Sequence, residues 1–111
     1  MSKYHSHKVI TPDGVFDSKR EYTRWCELKL MQRAGLITDL KRQVKYELLP
    51  TQRAAGKKGM VIEYPVYYIA DFVYTENGRE VVEDSKGAKT PEYIIKRKLM
   101  LYFHGIRIKE T

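Results

Sequence analysis

The 111-residue chain has one cysteine, Cys26, only four prolines and no apolar run long enough to span a membrane. A single thiol excludes an internal disulfide framework and any zinc site built from several cysteines, and it suits a reducing, cytoplasmic setting. The opening residues MSKYHSHKV lack the apolar core of a secretion leader. Acidic residues are also short, 14 against 21 Lys and Arg, which leaves a formal net charge of +7. That surplus favours a polyanionic partner such as nucleic acid through steering and counterion release. No basic amphipathic helix stands apart from the core pattern, so a membrane surface is not the expected partner. With 42% hydrophobic and 12% aromatic residues, the chain is expected to fold as one domain over residues 1–111.

Local signals order the elements. Residues 1–16 read as an N-terminal arm and a turn around Pro12-Asp13-Gly14, and His5 and His7 fit a basic arm better than a metal site. From Ser18 to about Ala34, Tyr22, Trp25, Cys26 and Leu28 recur at helical spacing, and Gly35 supplies the stop. Glu27 points away from Trp25 to solvent, whereas Glu21 falls between Trp25 and Leu28 on the inward side. Residues 37–49 alternate as a strand, TQRAAGKKG (51–59) reads as a mobile basic loop, and residues 60–75 form a second extended stretch marked by Pro65. Asn77-Gly78 signals a hairpin into EVVEDSK. Thr90-Pro91 opens a second helix, apolar on most sides and so expected to be largely buried, which Gly105 ends before a last strand in IRIKE. The order α-β-β-β-α-β implies an α/β fold with a central mixed sheet flanked by helices.

The chemistry concentrates on two strands. Alternation puts Val82, Asp84 and Lys86 on one face and Glu83 on the other. On the partner strand it puts Tyr67, Ile69, Asp71 and Val73 together. Asp71 is the only charge in YPVYYIADFVY, a costly place for a carboxylate that nothing satisfies. Hairpin pairing around Asn77-Gly78 brings it laterally close to Asp84. Two such carboxylates offer hard oxygen ligands to Mg²⁺, and Lys86 stands ready to orient water or to stabilise developing negative charge.

Asp71 followed by Asp84-Ser85-Lys86 resembles the PD-(D/E)XK nuclease motif, with Ala70 in place of the proline, and the order of elements is that superfamily's core. DGVFDSKRE, IADFVY, VVEDSKG and TPEYIIKRKLM resemble a small family of phage and prophage endonucleases similar to Holliday junction resolvases. The resemblance implies hydrolysis of DNA phosphodiester bonds with Mg²⁺, Mn²⁺ substituting. Asp71, Asp84 and the backbone carbonyl of Ser85 would be ligands, with Lys86 catalytic. Glu21 matches the glutamate that many members place on the first helix, and it equally fits a capping box with Ser18. Glu83 would need a bulge to reach the metal. Lys96, with Lys98 and Lys89, is expected toward DNA phosphates, as are Arg53, Lys57 and Lys58; solvated or snorkelling side chains are the plain alternative for each. Gln43 either lines the site or is a solvated strand residue, and Trp25 with most tyrosines belongs to the core. By analogy the protein is a homodimer acting on branched or four-way DNA beside phage replication or packaging proteins in a bacterial host. A non-catalytic DNA-binding accessory with a nuclease-like fold is the alternative.

Overall fold

The computed structural model describes residues 7–55, 59–86 and 88–111. Strands β1 (Val9–Thr11) and β2 (Gly14–Phe16) form a small hairpin, followed by helix α1 (Lys19–Arg33). Ser18 caps α1 by accepting the Glu21 N–H, and the chain leaves the helix through Gly35 at φ +82°. Strand β3 (Thr38–Leu49) comes next. The segment expected as a mobile loop instead begins with β4 (Gln52–Arg53), which pairs with β5 (Val61–Glu63). Pairing with the extended stretch beyond it orders the base of the loop; its tip at residues 56–58 lies outside the described residues. Strand β6 (Val66–Glu76) turns through Asn77 and Gly78, both at positive φ, into β7 (Arg79–Asp84). That is the geometry a two-residue hairpin loop demands. Helix α2 (Pro91–His104), capped by Thr90 and ended by left-handed Gly105, returns the chain to β8 (Lys109–Glu110).

The central sheet runs β3-β6-β7-β8. Its first three strands are antiparallel, and β8 lies parallel to β7. The fold is thus mixed α/β, a central mixed sheet with two helices. Each helix closes its own apolar cluster. Leu28 of α1 packs with Ile37, Phe72 and Tyr74, while Tyr93 and Met100 of α2 pack with Leu48, Tyr68, Ala70, Val73 and Val82. Each fully buried side chain of this kind contributes about 1.5–3 kcal/mol.

Helix α2 departs from expectation. Only Tyr93 and Met100 are buried along it, while Tyr102 is 81% and Ile95 58% exposed. The helix meets the sheet along one stripe, and among the described residues no element covers its outer side. Its apolar composition therefore overstated its burial.

Candidate active site

The site forms where β6 and β7 part company. Their ladder pairs Tyr74 with Val81, Val73 with Val82 and Phe72 with Glu83. One step beyond the last pair lie Asp71 and Asp84. Strand β7 ends there, and Ser85 turns back so that its N–H donates to Asp71 Oδ2 at 2.8 Å. Asp84 is fully buried. Its Oδ2 accepts a hydrogen bond from the Tyr68 hydroxyl, and its backbone carbonyl accepts the Thr111 N–H at 3.0 Å. Asp84 Oδ1 is buried and has no hydrogen-bond partner. The Lys86 ammonium stands 3.2 Å from it, in ion-pair contact but without hydrogen-bond alignment.

The carboxylates feel one another. Burial, with the neighbouring Asp84 adding to it, pushes Asp71 up to about 7, and the Ser85 N–H offsets only part of this. Glu21 is buried on α1 and is raised by burial first and by Asp17 next, with Asp84 contributing; Asp71 in turn is raised by Glu21. Three acids from α1, β6 and β7 therefore share one electrostatic neighbourhood. Among the described residues, however, no group of three or more His, Cys, Asp or Glu side chains is gathered tightly enough to hold a metal ion. The contact set at the acids is Asp71 with Asp84.

Glu21 has divided duties. Its N–H makes the cap to Ser18, but its carboxylate accepts from Gln43 Nε2 at 3.3 Å and stands 3.7 Å from the Arg42 guanidinium. The cap thus belongs to the backbone of Glu21 and the site to its side chain. Gln43 earns that contact through a left-handed backbone, φ +53°, in the middle of β3. On one side of it, Val44 and Tyr46 pack toward α2; on the other, Leu40 packs toward α1 and Arg42 stacks on the Phe16 ring at 3.7 Å. Strand β6 switches faces at the same level: Tyr68 and Ala70 pack toward α2, and Phe72 and Tyr74 toward α1. Simple alternation along β6 therefore fails at Asp71, and Val73 shares the α2 side with Tyr68 and Ala70 rather than with Tyr67 and Ile69.

Glu83 points the other way from Asp84 and is fully buried. Arg24 Nη2 (3.0 Å) and Tyr74 OH (2.6 Å) donate to its Oε2, and Arg24 Nε and the Thr111 hydroxyl donate to its Oε1. Burial alone would raise Glu83, but Arg24 and Tyr74 outweigh it and hold the carboxyl below its usual range. It is a tie between α1 and β7.

A family described as "Protein of unknown function (DUF1064)" matches residues 1–109. The chain belongs to that family. No curated protein and no solved structure matches it.

The expected phosphate contacts separate. A cavity of about 320 Å³ is lined by Tyr67, Ile69, Thr90, Tyr93, Lys96 and Glu92, with Tyr68 and Lys86, the two partners of Asp84, in its wall; Asp71, Asp84 and Glu21 do not line it. Lys86 lies over the Tyr93 ring at 4.9 Å, and Lys96 pairs with Glu92 one helical turn back at 3.1 Å. Lys98 faces a different hollow, with Arg107 and Ile108. Lys89 is held by Glu110 at 3.1 Å, and Arg53 donates to the Gly59 carbonyl at 2.6 Å. Lys57 and Lys58 lie outside the described residues. Trp25 is half-buried at the edge of the α1 cluster, stacked 6.0 Å from Phe72 with its Nε1–H donated to Asp13. Sequence reasoning missed Tyr68 and Arg42. A tyrosine two residues before the small Ala70 was read as core, and only the cross-strand geometry shows its hydroxyl on Asp84. No helix among the described residues is long and apolar enough to cross a membrane.

Proposed function

We propose that this chain is a metal-dependent DNA endonuclease with a PD-(D/E)XK core, hydrolysing phosphodiester bonds. The observation that carries this reading is the meeting of Asp71 and Asp84 at the end of β7, where a buried Asp84 oxygen lacks a hydrogen-bond partner and the adjacent Lys86 lines a neighbouring cavity. Two carboxylates suit Mg²⁺ or Mn²⁺, which take hard oxygen donors and keep several waters. Asp71 and Asp84 would hold the ion, with the Ser85 carbonyl beside them and Glu21 at the edge. When bound, it would acidify a water and neutralise charge developing on the phosphate. Lys86 is fixed between Asp84 and the Tyr93 ring, so its ammonium faces the cavity with a phosphate oxygen as its natural second partner. Lys96 lines the same cavity together with its partner Glu92, and exchanging that carboxylate for a phosphate oxygen would bring its charge to the substrate. The surplus of seven positive charges supports a polyanionic substrate.

The order α1-β3-β6-β7-α2-β8 supports the nuclease core as the finer description of the fold. We propose branched or four-way DNA as the preferred substrate, a homodimer as the working form, and a phage or prophage setting with replication or packaging proteins nearby. A second reading, a DNA-binding accessory without catalysis, is favoured by two observations: Lys86 already pairs with Asp84, and no third acid closes a ligand set among the described residues.

Cleavage separates the two. Wild-type protein with Mg²⁺ or Mn²⁺ is expected to nick supercoiled plasmid and a synthetic four-way junction, and Asp84→Asn to bind the same DNA without cutting. Binding without cleavage of any duplex, branched or single-stranded substrate would leave the accessory reading. Equal rates on junction and linear duplex would remove the structure preference alone.

A further inference from the structure

Tyr68 is only 3% exposed and sits in the apolar wall shared with Ala70, Val82, Tyr93 and Met100. A phenylalanine would fill that wall as well, so packing does not account for the phenol. A buried tyrosine hydroxyl needs a partner, and a buried carboxylate needs donors. Each meets the other's requirement here: the Tyr68 hydroxyl donates to Asp84 Oδ2 from within the core. The ring is held in turn by Tyr93, with centroids 6.4 Å apart. Asp84 is thereby left asymmetric. Oδ2 is occupied by a charge-assisted hydrogen bond, and Oδ1 is left with only the Lys86 ammonium at 3.2 Å.

We propose that Tyr68 is a positioning residue: its hydroxyl clamps Asp84 Oδ2 and so presents Oδ1 alone, in one fixed orientation, to a divalent cation. The inference rests on the metal-dependent reading above and adds the device that orients the ligand. The donor comes from the strand that also carries Asp71, three residues along. One strand therefore supplies both an acid and the clamp on the other acid, which couples the spacing of the two carboxylates to the geometry of β6. Without the hydroxyl nothing on the core side holds Oδ2, and the carboxylate is free to turn both oxygens toward the Lys86 ammonium. Hydrogen-bond donors behind a ligating group usually control metal affinity by about tenfold to a hundredfold.

The test is calorimetric titration of the full chain with Mn²⁺, with no DNA present, beside thermal melts in the absence of metal. Wild type is expected to bind Mn²⁺, and Asp84→Asn to lose that binding. Tyr68→Phe is expected to bind about tenfold to a hundredfold more weakly while melting as a cooperative fold. Unchanged affinity in a folded Tyr68→Phe overturns the clamp and leaves the nuclease reading intact. Absence of Mn²⁺ binding by wild type overturns the metal-dependent reading itself. A measurement on the unaltered protein covers a Tyr68→Phe that fails to fold. The Tyr68 hydroxyl proton, assigned by NMR through its own ring, is expected to be slow to exchange with water and to shift on addition of Mg²⁺. A hydroxyl proton that exchanges freely, or one that ignores saturating Mg²⁺, overturns the clamp.

Discussion

Gln43 stands across from Asp71 in the register that pairs Val44 with Ala70 and Arg42 with Phe72, and it takes up a left-handed backbone, φ +53°, to do so. Both strands change faces at this level. The switch lets β3 and β6 serve the α2 core at one end and the α1 core at the other, and it turns the Gln43 amide toward Glu21.

A left-handed residue other than glycine carries a cost of about 1–2 kcal/mol. Gln43→Ala and Gln43→Gly both lose the amide that reaches Glu21, but only glycine relieves the backbone. Chemical denaturation is expected to find Gln43→Gly more stable than Gln43→Ala by about 1 kcal/mol. If alanine matches or exceeds glycine, position 43 is not left-handed in solution.

Glu83 has no exposed surface, and Arg24 is the cation that pairs with it. Arg24→Met leaves a buried carboxylate unpaired and is expected to destabilise the fold by about 3–5 kcal/mol in urea unfolding. Adding Glu83→Gln to that variant should recover a substantial part of the loss, because the stranded charge is gone. No recovery in the double variant would mean that Arg24 acts through packing alone.

The Ser18 cap and the Glu21 carboxylate are separable. Ser18→Ala removes the hydroxyl that accepts the Glu21 N–H and is expected to cost about 1 kcal/mol, and under the proposed nuclease function it leaves DNA cleavage in place. Glu21→Gln keeps that cap and is expected to hold its stability but lose cleavage. Full activity in Glu21→Gln would reduce Glu21 to a structural residue.

Glu110 accepts from Tyr93, and with Lys89 and Arg97 also bonded to it the carboxyl falls to about 2, against its usual 4.5. A carboxyl lowered by folding stabilises the protein above its unfolded value, and that stability drains as pH falls toward its folded value. Melting of wild type and Glu110→Gln should therefore differ most above pH 4.5 and converge toward about pH 2. A gap that does not change with pH would show that the ionic contacts are not the source.

Several parts of this fold were legible because they depend on neighbours in the chain. Ser18 and Thr90 cap helices, Gly35 and Gly105 end them, and Asn77-Gly78 closes a two-residue turn, each within a few residues of its partner. The turn in turn sets the ladder from Glu76–Arg79 to Phe72–Glu83, so the approach of Asp71 to Asp84 could be read from spacing. The opposite orientation of Glu83 also follows from alternation. Alternation failed at Asp71 because β3 and β6 change faces together at this level, and Gln43 carries no sequence signal for its left-handed backbone. The burial of α2 was misjudged for a related reason, since composition describes the helix and not what covers it.

The sequence by itself determined the two helices with their caps and stops, the Asn77-Gly78 hairpin and the approach of Asp71 to Asp84 across it, all set by short-range geometry; the β1–β2 and β4–β5 pairs appeared only in the structure. Only the tertiary structure decided that Tyr68 clamps Asp84, that Arg24 ties Glu83 across 59 residues, and that Glu21 meets Gln43. These contacts join strands and helices whose packing angles no local rule specifies. Buried polar groups find partners because desolvation is costly, but which partner each finds depends on where the fold brings the chain together.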